Sequence, residues 1–270
     1  MIPTLLTLTL ASGTVPSADG VPIHYRVEGK GAPALVLVHG WAYDGSLWDA
    51  QVEHFAKTHQ VVTLDLGGHG RSGKGRKDWT MGAFGEDVVA VVRHLGLERV
   101  VLVGHSMGGP VILEAARRMP ARLVGLVPVD TLSDVESKEP PEKIEGMMAT
   151  FRADFRKATD QFMRQWMFTK SSPPALIEAV VRQTTAMDPA IGIPALRHTW
   201  EYDAAAGLRG VGVVTKAPIV AVNADLWPTK LDAARRRATP RSSTWCWSRA
   251  SATTSCAKTP PPSTAVWRRR

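Results

Sequence analysis

Val100-Val101-Leu102-Val103-Gly104-His105-Ser106-Met107-Gly108-Gly109 is the stretch on which the fold of this chain turns. Its first four residues are apolar and mostly β-branched, which predicts a strand buried on both faces. From about residue 108 to 118 the apolar positions take helical spacing. Ser106 therefore lies on a tight strand-to-helix turn. Such a turn is strained and passes close to neighbouring chain, so glycine two residues before and two after the serine meets its steric demand. The turn projects the hydroxyl above the sheet, and the helix behind it directs N–H groups toward any anion that develops there. The G-x-S-x-G pattern alone is common by chance; the flanking strand and helix make Ser106 a candidate nucleophile.

The same alternation extends outward from this point. Ile23-His24-Tyr25-Arg26-Val27 alternates as a half-exposed strand does, while Ala34-Leu35-Val36-Leu37-Val38 and Val61-Val62-Thr63-Leu64 are short buried runs. Helices are predicted over 45–58 and 81–97, and a further strand over 123–129. Strands alternating with helices at this spacing predict an α/β fold, a mostly parallel sheet with helices on both faces. The pattern breaks after Asp130. Residues 134–210 carry helical periodicity at 142–168 and 174–187 with proline-marked joints, and a strand returns at Ile219-Val220-Ala221-Val222. The insertion predicts a helical lid over the sheet. Its Met147, Met148, Phe151, Phe155, Phe162, Met163, Trp166, Met167 and Phe168 are expected to serve core packing more than pocket lining. The expected organisation is a leader or truncated signal at 1–20, core at 21–133, lid at 134–210, core again at 211–234, and a disordered basic tail at 235–270. The leader resembles the apolar part of a signal peptide without its charged start. Both a cytoplasmic and an exported location stay open.

Composition bounds the partners. The 270 residues are 44% hydrophobic and 21% charged, which fits one sizeable globular core. No apolar run approaches the ~18 residues of a membrane span. The net charge of +8 is unevenly placed: 235–270 holds nine Lys/Arg and no acidic residue, leaving 24 basic against 25 acidic residues in 1–234. Both cysteines, Cys246 and Cys256, also lie in this tail. The charge therefore gives no ground for a specific nucleic-acid partner. No metal cluster or dinucleotide fingerprint is visible, and no cofactor is expected. Gly68 to Lys74 fits the first part of a phosphate loop, but Gly75 stands where Ser or Thr is required.

Two further motifs complete a pattern. Val38-His39-Gly40-Trp41 follows one strand, and Asp65-Leu66-Gly67-Gly68-His69-Gly70-Arg71-Ser72 follows the next. With the Ser106 turn, their order and spacing resemble the α/β-hydrolase fold family over residues 20–230. That resemblance implies a serine hydrolase acting on a small-molecule acyl substrate through an acyl-enzyme on Ser106. It implies an oxyanion hole built from the Trp41 and Met107 N–H groups, and a structural role for the 65–72 loop. It also implies an acid after the returning strand, where Asp225 is the first choice and Asp130 the alternative. A serine nucleophile argues against epoxide hydrolase or haloalkane dehalogenase chemistry. Aminopeptidase, lactonase and carbon–carbon hydrolase remain open, as do the oligomeric state and a non-catalytic ligand-binding role.

The family places a histidine after the acid. All eight histidines here (24, 39, 54, 59, 69, 94, 105 and 198) precede Asp225, so no triad histidine is identifiable. The tail suggests why. Read in codons shifted by one base, Trp245-Cys246 becomes Val-Leu, and the Ala252-Thr253 junction can encode His. A frameshift between about Arg235 and Arg241 would replace a final strand and its histidine with the basic tail. The chain is then expected to lack its last strand and closing helix, to turn over esters weakly or not at all, and to aggregate readily.

Overall fold

The structure, a computed structural model, describes residues 11–224, 230, 232–234 and the backbone of 246–250. The described residues form eight strands and eight α-helices in the order β1 (Ala11–Pro16), β2 (Pro22–Glu28), β3 (Ala34–Val38), α1 (Asp49–Phe55), β4 (Val61–Leu64), α2 (Met81–His94), β5 (Val100–His105), α3 (Gly108–Arg118), β6 (Leu123–Val129), α4 (Pro141–Ala153), α5 (Phe155–Trp166), α6 (Pro174–Thr185), α7 (Pro189–Glu201), α8 (Ala204–Val214), β7 (Val220–Ala224) and β8 (Cys246–Ala250). One sheet holds all the strands in the order β1-β2-β4-β3-β5-β6-β7-β8. β1 and β2 pair antiparallel with each other, as do β2 and β4; every other pair is parallel.

Buried strands explain the core on both faces. Along β3, Leu35 and Leu37 point to one side with Trp48, Val52, Val61 and Val101, while Val36 and Val38 point to the other with Phe84, Val88, Leu102, Val111 and Ile112. This is the two-residue period of a strand applied to a continuous apolar run. α1 covers the first face; α2, α3 and the lid cover the second. Helix starts follow their caps: the Thr80 side chain accepts from Ala83 N at 3.1 Å before α2, and the Asp154 side chain accepts from Lys157 N at 3.0 Å before α5.

Three expectations are corrected. Part of the 1–20 leader is sheet: Ala11–Pro16 pairs with β2 as β1, and Ser17 at its end is locked to Asp87. The helix expected over 142–168 is two, because Asp154 takes an extended conformation and its carboxylate caps the second. At the end of the 134–210 insertion, α8 packs on α3, and the preceding Tyr202 donates to Glu114 at 2.8 Å. The last strand is present: Cys246–Ala250 pairs parallel with β7 as β8. The exposed polar edge of β7 demands a partner, and a five-residue extended segment supplies it. The rest of the basic tail, the expected closing helix and Asp225 lie outside the described residues.

The topology locates the site. From β3 the chain moves to β4 on one side, and β5 then returns to the other side of β3. The carboxyl ends of β3 and β5 therefore flank the switch point of the parallel sheet, where such folds leave a crevice for ligands.

Candidate active site

Ser106 stands at the end of β5 with φ 52°, a left-handed conformation rare for a residue with a side chain. Strain of this kind persists only where surrounding contacts over-determine it. Here the Ser106 N–H donates to Val129 O at 3.0 Å, and the Gly109 N–H donates to Ser106 O at 2.8 Å. Sterics enforce the same turn. A Cβ on Gly104 would lie 2.2 Å from the Gly108 carbonyl oxygen. A Cβ on Gly40 would lie 3.1 Å from Ser106 Cβ and 2.9 Å from His105 Nδ1, so the loop after β3 passes directly against the serine.

That approach places Trp41 beside the turn. Among the described residues neither the Trp41 N–H nor the Met107 N–H donates to a protein acceptor, although both residues are buried. Two unfilled backbone donors next to a strained serine have the composition of an oxyanion hole. The Trp41 side chain is fixed from above: Nε1 donates to Gly192 O at 2.8 Å, and Phe151, Phe155 and Phe162 pack on the ring with centroids 5.7, 6.0 and 6.1 Å away. These residues of α4, α5 and α7 thus pack directly over the β3 loop.

Asp130 follows β6, immediately after the residue that binds the Ser106 N–H, and also has positive φ (46°). Its Oδ1 accepts from Ala224 N at 2.6 Å, while Oδ2 is buried with no partner among the described residues. Burial pushes its carboxyl up to about 6, opposed by the bond from Ala224 N. Because the folded value lies above the unfolded one, the fold holds a proton that the unfolded chain releases. Stability therefore falls as pH rises from about 4 to about 6 and stays lower above that. Asp130→Asn is expected to raise the melting temperature at pH 8 but not at pH 4; equal shifts at both would contradict the buried charge.

Sequence reasoning missed the brace beside it. Asn223, fully buried near the end of β7, accepts from Thr131 N at 3.0 Å and donates to Thr131 O at 3.2 Å. A buried amide at a strand's carboxyl end was the available signal. The loop at 65–72 is built for structure: Asp65 accepts from Gly45 N and Arg71 N, each at 2.8 Å, and the Ser72 side chain binds Asp65 O and His24 N.

The buried histidines differ in what holds them. His39 Nε2 accepts from Leu66 N at 3.0 Å, so its Nδ1 carries the proton and donates to Gly40 O at 2.8 Å. His69 lies against His39, and burial, aided by that neighbour, takes it down to about 3. The His105 ring packs edge-on against Tyr43 and Trp48 with both nitrogens unpartnered among the described residues, and burial takes it down to about 4. His198 sits on α7 beside Glu201. Among the described residues no three metal-ligating side chains cluster, and no helix is long and apolar enough to cross a membrane.

Residues 33–204 match the family model of the alpha/beta hydrolase fold. The chain belongs to the alpha/beta hydrolase family. This alpha/beta hydrolase is 40% identical over 110 residues to a bifunctional esterase/perhydrolase of Acinetobacter calcoaceticus, covering 40% of each chain. It is 36% identical over 154 residues to a non-heme haloperoxidase of Rhodococcus erythropolis, covering 52% of this chain and 56% of that one. The alignments thus span about half or less of these relatives' length. Among solved structures, a thermophilic esterase from Thermogutta terrifontis superposes with a TM-score of 0.77 at 23% identity, over 96% of this chain and 97% of that one. At that identity the likeness is one of fold.

Proposed function

We propose that this alpha/beta hydrolase is built as a serine hydrolase of carboxylic esters or related acyl bonds, with Ser106 as nucleophile. The observation that carries the reading is Ser106 at positive φ, flanked by the two unfilled N–H groups of Trp41 and Met107. Ser106 Oγ attacks the acyl carbonyl, the two N–H groups hold the oxyanion, and the alcohol leaves to give an acyl-enzyme that water hydrolyses. The esterase/perhydrolase named above supports an acyl substrate. Asp225 is the acid that orients the base, with Asp130 the alternative; the buried, unpartnered Oδ2 of Asp130 favours the latter among the described residues. The base itself is missing from these 270 residues beyond His198, and we attribute this to the shifted reading frame. Without a base, turnover is weak.

A fluorophosphonate probe tests the nucleophile independently of turnover. It is expected to label the chain slowly at Ser106, located by peptide mass, and not to label Ser106→Ala. Labelling that survives the substitution overturns the assignment. Complete inertness of a folded chain would favour the second reading, a ligand-binding relative without catalysis.

A further inference from the structure

Four non-glycine residues have positive φ among the described residues. Two are Ser106 itself and Ala42, beside Trp41; the other two, Asp130 (46°) and Leu132 (53°), lie in the loop after β6. Such conformations persist only where neighbours over-determine them. The sheet gives this loop little help, because β6 and β7 share one ladder pair, Val129 with Val222, and one isolated bridge, Leu126 with Ile219. The end of β7 holds the loop instead. The Asp130 N–H donates to Val222 O at 2.9 Å, and the Ala224 N–H donates to Asp130 Oδ1 at 2.6 Å. Between them the fully buried Asn223 side chain accepts from Thr131 N at 3.0 Å and donates to Thr131 O at 3.2 Å. An amide has one acceptor and one donor side, which matches a peptide N–H and C=O; an ionised carboxylate has no donor.

The clamped loop meets the Ser106 turn at two points. Val129 O, just before Asp130, accepts from Ser106 N at 3.0 Å. The Thr131 side chain lies against Gly109, where a Cβ would come within 2.4 Å of Thr131 Cγ2, and the Gly109 N–H donates to Ser106 O at 2.8 Å. Movement of Thr131 is therefore passed to both backbone bonds that hold Ser106. In sequence the two acid candidates flank the clamp, Asp130 just before Thr131 and Asp225 two residues after Asn223.

We infer that Asn223 is a positioning residue for acyl transfer: its amide holds the 130–132 loop and, through Val129 and Thr131, sets the geometry of the Ser106 turn. The inference rests on the acyl-transfer reading of Ser106. A positioning role is separable from a stabilising one, because a small displacement of a reacting group costs rate while the fold is kept. Asn223→Leu keeps the volume and removes both bonds. Asn223→Asp keeps the shape and makes the clamp depend on pH. Protonated, the new carboxyl accepts from Thr131 N and donates to Thr131 O as the amide does; ionised, it turns a negative oxygen toward the Thr131 carbonyl and opens the clamp.

The experiment measures the rate at which a fluorophosphonate probe labels Ser106 in the full chain, well below every melting temperature, from pH 5 to pH 9. Each variant is expressed as a ratio to the parent at the same pH, which removes the direct effect of Asp130, the titratable group beside the clamp. Asn223→Leu is expected to label about tenfold more slowly at every pH. Asn223→Asp is expected to label at the parent's rate at pH 5 and to fall toward the Asn223→Leu rate by pH 9. Ile23→Ala is the control for stability, since Ile23 is fully buried on β2, three strands from β5. It is expected to lower the melting temperature and keep the labelling rate. Labelling at the parent's rate by Asn223→Leu, or by Asn223→Asp at pH 9 should Asn223→Leu not fold, overturns the role of Asn223 alone. An equal loss in Ile23→Ala would make the clamp merely structural and overturn it as well. A folded parent that the probe never labels removes the reading of Ser106 and this inference with it.

Discussion

Placing a histidine behind β8 is expected to raise the turnover of p-nitrophenyl acetate by about 10⁴ to 10⁶ over the chain as it stands. A serine hydroxyl is a weak nucleophile until a neighbouring base takes its proton, and the same base must then protonate the leaving alcohol. No described histidine is placed to do this. His39, His69 and His105 are buried and held neutral by desolvation, with His39 committed at both nitrogens and His105 turned to Trp48. His24 faces Asp65, His94 binds the Tyr25 hydroxyl, His59 binds Thr58, His54 packs on Phe55, and His198 is on the lid beside Glu201. The comparison is between this chain and one carrying the shifted frame from about residue 241, each with and without Ser106→Ala. The gain must vanish in Ser106→Ala. Equal turnover by the two serine-bearing chains would show that the base comes from elsewhere.

The second large effect concerns stability. Asp87 on α2 is fully buried and accepts four hydrogen bonds: from Ser17 Oγ at 2.6 Å, Gly67 N at 2.9 Å, and Arg76 at 2.5 and 3.1 Å. The Arg76 side chain is 2% exposed, reaches Asp19 at 2.6 Å and lies over the Trp79 and Phe84 rings. Residues 17, 67, 76 and 87 are thereby joined through one carboxylate. Asp87→Ala leaves the Arg76 charge buried beside a half-exposed Asp19, and it strands a hydroxyl and an amide. A loss of about 3–5 kcal/mol is expected in urea unfolding. Replacing both partners, Arg76→Met with Asp87→Leu, is expected to lose less, because the penalty lies in the unpaired charge and not in the absence of the pair. A single substitution that loses under about 1 kcal/mol would show that the network relaxes onto Asp19.

Much of the core was legible in short windows of sequence. Runs such as Ala34–Val38 and Val100–Val103 are apolar because both faces of a central parallel strand are covered, and that pattern is local. The Ser106 turn was legible for the same reason: Gly104 must clear the Gly108 carbonyl only four residues away. What failed to show were elements defined by a partner far along the chain. β1 looks like a leader until it meets β2, and β8 looks like tail until the edge of β7 recruits it. The packing of α8 against α3 likewise leaves no mark on its own composition.

The candidate site divides along the same line. Sequence alone determined that Ser106 sits on a strand-to-helix turn, that a glycine loop precedes Trp41, and that no histidine follows Asp225. These are properties of neighbouring residues and of chain order. Only the tertiary structure decided that Gly40 presses that loop against Ser106 Cβ, leaving the Trp41 and Met107 N–H groups unfilled. Only it decided that Asp130 holds a buried oxygen without a partner, and that Phe155 and Phe162 close over Trp41. Donors left empty and oxygens left unpaired are defined by what surrounds them in space, and residues more than 100 positions apart supply those surroundings here.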